Sequence, residues 1–169
     1  SPEPLRVVPI PPQTHRKGAI AWLRSGDWVA VTSGEGIVLV SPNPDRESIR
    51  LKDSDRAIAL APTPDGRRLV SAHWGAREEL MLWDLDNHQR LLTATGDASS
   101  LLALAVAPDG LSVATGNSVG QVKIWSLPDF RPVQTLTGHA GEVRCVTYSP
   151  DSLLVASGGV DRTVRVWDW

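Results

Sequence analysis

The chain has 169 residues, 41% hydrophobic and 21% charged, a balance that supports a packed core and excludes a disordered polymer. A formal net charge of −2 and a pI near 6.1 leave no electrostatic footprint for nucleic acid or for an acidic membrane surface, so neither is an expected partner. The one cysteine, Cys145, excludes an internal disulfide and a cysteine-built zinc site, and no apolar run approaches the roughly 18 residues that span a bilayer.

Residues 1–13 carry Leu5-Arg6-Val7-Val8-Pro9-Ile10 and then Pro11-Pro12, a pattern that suits a short edge strand. Residues 14–55 read as strands at 19–23, 28–32, 37–40 and 48–51, with Gly26-Asp27 at the first turn. Trp22 and Trp28 are expected in the core of this first unit. Residues 56–98 give strands at 57–61, 69–72, 80–83 and 90–93. Residues 99–140 give 101–106, 111–115, 122–125 and 133–136. Residues 141–169 give 143–148, 153–157 and 164–167, with no fourth strand. No ten-residue window sustains a period near 3.6, so the expected class is all-β. The chain opens on Ser1 rather than Met, which reads as a piece of something longer.

The units repeat. Pro64-Asp65-Gly66, Pro108-Asp109-Gly110 and Pro150-Asp151-Ser152 mark one turn, spaced 44 and 42 residues apart. Trp83, Trp125 and Trp167 recur every 42 residues. Two independent markers with one period of about 40–45 residues and four strands indicate propeller blades. Gly138-His139, Ser149-Pro150-Asp151, Ser157-Gly158-Gly159, Asp161 and Val166-Trp167-Asp168 resemble the WD-repeat family. The resemblance runs from residue 14 to residue 169 and is sharpest in the last repeat.

The resemblance implies a β-propeller of four-stranded antiparallel blades, four per chain, with 14–55 a degenerate first blade. Family rings close with seven or eight blades, and an uncovered end blade would expose an apolar face. The expected solution is half of an eight-bladed ring. A homodimer would complete it, with 1–13 supplying the outer strand that blade 141–169 lacks, or further blades of a longer chain would do so.

The resemblance also implies a buried hydrogen-bonded tetrad, filled in the last repeat by His139, Ser157, Asp161 and Trp167. Counting from the turn aspartates places Ser33, Ser71 and Thr115 in the hydroxyl column and Trp83 and Trp125 in the indole column. The histidine column then reads His15, Asp53, Asp97 and His139. Asp53 and Asp97 are expected to accept directly from Ser71 and Thr115. Ser157, His139 and Asp161 are also the ingredients of a hydrolase triad, but no Gly-x-Ser-x-Gly turn is present, and no catalytic role is expected. The four histidines lack the spacing of a metal site, so neither metal nor cofactor is expected. Glu78-Glu79 reads as solvated loop charge.

The function implied is a non-catalytic protein–protein interaction scaffold that docks a protein or peptide on its loop face, in a cytoplasmic setting. Purely structural assembly is the alternative. A channel enzyme is disfavoured, because the inner strands carry Ala, Leu, Val, Ile and Thr. The loop after Ser71 is two residues longer than its equivalent after Ser157 and contains His73, Trp74 and Arg77, which are candidates to contact the partner. Asp55, Arg56, Glu142 and Arg144 are further candidates on the same face.

Overall fold

The computed structural model describes residues 18–23 and 26–169. These residues form fifteen strands and no helix. The first sheet comprises β1 (Ile20–Trp22), β2 (Val29–Ser33), β3 (Gly36–Val40) and β4 (Ile49–Arg50). The second comprises β5 (Ala57–Pro62), β6 (Arg68–His73), β7 (Glu79–Asp84) and β8 (Gln89–Thr95). The third holds β9 (Leu101–Val106), β10 (Ser112–Asn117), β11 (Gln121–Ser126) and β12 (Pro132–Thr137). The fourth holds β13 (Val143–Tyr148), β14 (Leu154–Gly159) and β15 (Val164–Asp168). Every sheet is an antiparallel meander in chain order, and the four are set round an axis as propeller blades.

The Pro-Asp turns are made by side-chain capping. Asp65, Asp109 and Asp151 each accept through Oδ1 from the amide two residues on, at 3.0, 2.8 and 3.1 Å. This is the short-range bond that favours aspartate in turns. The next position is left-handed in all three, at φ 73° for Gly66, 74° for Gly110 and 65° for Ser152. Glycine takes that conformation at no steric cost, whereas Ser152 takes it with one.

The two middle strands of each inner blade are apolar on both faces because each face meets a neighbour. Leu69, Met81 and Trp83 of the second blade pack on Ala30, Ile37, Leu39 and Leu51 of the first. Val70, Ala72, Leu80 and Leu82, on the opposite face, pack on Leu101, Val113, Trp125 and Phe130 of the third. Ala114, Val122 and Ile124 then meet Val143, Tyr148 and Val155 of the fourth. The core is thus three joints between blades rather than one central cluster. Small residues on the inner strands allow this approach. Ser112 Oγ also donates to Tyr148 Oη across the third joint at 2.9 Å, and burial pushes that phenol up to about 12.

Three expectations fall outside the described residues or are corrected. The strand at 1–13 and His15 lie outside the described residues. Trp22 is not core: it is 62% exposed on β1, while Trp28 is half-buried against the first joint with the Arg46 guanidinium over its ring. Among the described residues no blade precedes the short β1.

Candidate docking face and its bracing network

Antiparallel alternation sends the β2–β3, β6–β7, β10–β11 and β14–β15 loops to one end of the blades. The connectors that enter each inner strand reach the same end. That end carries the bracing network and the candidate partner contacts.

In the fourth blade, Trp167 Nε1 donates to Ser157 Oγ at 2.8 Å, and Ser157 Oγ lies 2.8 Å from His139 Nε2. His139 Nδ1 faces both Asp161 oxygens at 3.0 and 2.9 Å. The carboxylate can only accept, so Nδ1 donates to it, and in the neutral imidazole Nε2 is then the acceptor for the Ser157 hydroxyl. Burial would raise Asp161, but bonds from the Ala140 amide, His139 and Thr163 outweigh it and hold the carboxyl far below its usual range. The network ties the connector ahead of β13 to the β14–β15 loop.

The second blade builds the same brace differently. Trp83 Nε1 donates to Ser71 Oγ at 2.8 Å, Ser71 Oγ pairs with His73 Nε2 at 2.8 Å, and His73 Nδ1 donates to the Asp55 carbonyl at 2.7 Å. The expected bond from Ser71 to Asp53 is therefore corrected, because the single hydroxyl proton goes to His73. Asp53 sits exposed in a turn at φ 56°. His73, expected to meet a partner, is 1% exposed and belongs to the brace. The reason is strand geometry: residues i and i+2 share a face, so His73 stands beside Ser71. In the fourth blade the i+2 position after Ser157 is Gly159, and a Cβ there would lie 2.7 Å from His139 Nδ1. One space thus takes an imidazole either from the strand itself or from the preceding connector.

Burial lowers His73 below the ordinary imidazole value of 6.5, ahead of every other influence on it. The unfolded chain then binds a proton that the folded chain refuses, so the neutral form contributes stability above about 6.5 that is lost as pH falls. The urea midpoint should drop between pH 7 and pH 5, and His73→Gln should flatten that drop. An equally steep decline in the variant would show that His73 is not its source.

The third blade has neither histidine. Trp125 Nε1 donates to Thr115 Oγ1 at 2.9 Å, and Thr115 Oγ1 lies 3.5 Å from the Lys123 carbonyl. Asp97, expected to accept from Thr115, instead accepts from Lys123 Nζ at 2.5 Å. A cation within reach holds a carboxylate more strongly than a neutral hydroxyl does. Lys123 Nζ also donates to Glu78 Oε2 at 2.8 Å. Glu78, read from sequence as solvated, is 1% exposed. Its Oε1 accepts from Ser99 Oγ and from Asn117 Nδ2, each at 2.8 Å. Gly96 makes room for it, since a Cβ there would collide with the carboxylate. Burial alone would lower Lys123, but its bonds to Asp97 and Glu78 outweigh that and raise it, and the same bond lowers Asp97.

Ser33 closes its own turn instead, donating to the Gly36 carbonyl at 3.0 Å. Of the partner candidates, Asp55 pairs with Arg50 at 3.6 Å, Arg144 pairs with Glu142, and Arg56 is exposed at φ 61°. Trp74 is 47% exposed, and Arg77 is exposed beside it. Their loop is pinned from both sides. The Trp74 amide donates to the Arg56 carbonyl at 2.9 Å, Ser100 Oγ donates to the Gly75 carbonyl at 2.7 Å, and the Glu78 amide donates to the Asp97 carbonyl at 3.0 Å.

A family model described as WD domain, G-beta repeat matches residues 130–168. No curated protein matches the chain. The matched stretch contains β12 to β15 and all four members of the complete tetrad. Together with three further sheets of the same meander set beside it round one axis, this match supports a WD-repeat β-propeller.

Proposed function

We propose that this chain is a non-catalytic recognition scaffold that docks a protein or peptide on the loop face around Trp74 and Arg77. The observation that carries this reading is a large exposed aromatic on a loop pinned to both flanking connectors. A pre-ordered loop loses little conformational entropy on binding, and tryptophan and arginine are typical anchors of such contacts. The WD-repeat family serves generally as an interaction scaffold, which supports the same reading. Ser157 is 2% exposed and its hydroxyl is engaged by Trp167 and His139, an arrangement suited to bracing rather than to attack on a substrate. A reducing, cytoplasmic setting belongs to the proposal and accords with the free thiol of Cys145.

Affinity capture should recover a defined set of proteins with the wild-type chain, and Trp74→Ala should lose most of that set while keeping the wild-type melting temperature. An unchanged set would contradict the docking site. A second reading, assembly as half of an eight-bladed ring, is favoured by the exposed apolar faces of the first and last blades.

A further inference from the structure

The second and third blades align position by position from their tryptophans, 42 residues apart. In both, a β-bulge in the outer strand sets one residue opposite the indole: Arg90 opposite Trp83, and Pro132 opposite Trp125. Directly opposed residues share a face of the sheet, so Arg90 lies on the side of Trp83 that meets the first blade. Two residues earlier both chains turn left-handed, at φ 55° for His88 and 51° for Phe130. On the facing blade, the residue ahead of the connector aspartate is Lys52 before Asp53 and Gly96 before Asp97. One place in the fold is thus built from Gly96, Phe130 and Pro132 at the second joint and from Lys52, His88 and Arg90 at the first.

That exchange turns a plug into an opening. Phe130 is 3% exposed and packs with Trp125 into the joint between the second and third blades. Arg131 beside it is held by Asp129 at 2.8 Å. At the first joint His88 takes that place half-buried, and a cleft of about 280 Å³ lies there, lined by Lys52, Asp53, Trp83, His88, Gln89 and Arg90. Among the described residues, the side chains of Lys52, His88 and Arg90 hold no ion pair or hydrogen bond. Two permanent cations, an imidazole N–H and a carboxamide therefore line one opening against the single carboxylate of Asp53. This is the donor set of an oxyanion site. A phosphoryl group brings about 1.5–2 negative charges and three strong acceptor oxygens. These match the Arg90 fork, the Lys52 ammonium and the His88 ring N–H. We propose that this cleft binds a phosphoryl group, as inorganic phosphate or as the head of a small phosphate ester. No residue of the Trp74 loop lines the cleft, so the site stands apart from the docking reading.

Isothermal titration calorimetry with inorganic phosphate and with glycerol phosphate, each against sodium chloride at matched ionic strength, tests this. The wild-type chain should bind saturably to at least one of the two phosphates and not to chloride. Tighter binding of glycerol phosphate assigns the site to a small ester, and tighter binding of inorganic phosphate assigns it to the free ion. Lys52→Met and Arg90→Gln should each weaken binding about tenfold or more, the loss of one charge-assisted hydrogen bond. His88→Phe should seal the cleft as Phe130 seals its counterpart, abolishing binding while keeping the wild-type circular dichroism spectrum and melting temperature. Arg67→Gln, which removes an exposed charge on the β5–β6 turn, should bind as the wild type does. No saturable binding by the wild type overturns the proposal, as does full binding by both Lys52→Met and Arg90→Gln or an equal loss in Arg67→Gln. A failed affinity capture would overturn the docking reading and leave phosphate binding standing.

Discussion

Lys123→Met should lower the unfolding free energy by about 3–5 kcal/mol, the usual cost of leaving one member of a buried ion pair without the other. Glu78 is 1% exposed and receives Lys123 Nζ at 2.8 Å, so the variant leaves a carboxylate with neutral donors alone. The double variant Glu78→Gln/Lys123→Met should recover most of the loss, because it removes both charges and keeps an acceptor for Ser99. The pH dependence has a definite sign. Lys123 is raised above 10.5, so its contribution is complete below that value and is lost as pH rises through the folded value. Asp97 is lowered below 3.8, so its contribution is present above that value and is lost as pH falls. Urea titrations at one protein concentration measure all three chains. A single-variant loss under about 1 kcal/mol would mean that water reaches the pair.

Trp83→Ala should cost about 3–5 kcal/mol, the range for removing a large buried aromatic. Trp83 is 1% exposed in the joint between the first and second blades, and its indole N–H is the donor to Ser71. Trp83→Phe keeps most of the apolar contact and strands the hydroxyl acceptor, so a smaller loss of about 1–3 kcal/mol is expected. Leu91→Ala, on an outer strand with Leu91 51% exposed, should change stability by under about 0.5 kcal/mol. Equal losses in Trp83→Ala and Leu91→Ala would remove the claim that stability resides in the joints.

The sequence was most informative where one short-range rule fixes position. The Pro-Asp turns set the count, and the count placed Ser71, Thr115 and Ser157 opposite Trp83, Trp125 and Trp167 at 2.8–2.9 Å. It failed where a side chain could come from either of two chain positions. The imidazole of the second blade comes from His73, two residues after Ser71, whereas the column before the inner strand carries Asp53. Glu78 was illegible for another reason: its burial depends on Lys123, 45 residues away, and nothing beside it distinguishes it from Glu79. Trp22 misled because a tryptophan in a strand reads as core whether or not a blade covers it.

The bracing and the joints form one rigid frame, and the Trp74 loop is a surface presented upon it. Hydrogen exchange read by mass spectrometry tests this most directly. The middle strands β6, β7, β10 and β11 should exchange slowest and together, at rates set by global unfolding, with the amides of Trp74 and Gly75 slower than those of exposed turns such as 43–47. Independent exchange of the second and third blades, with different rates in the two sheets, would contradict it.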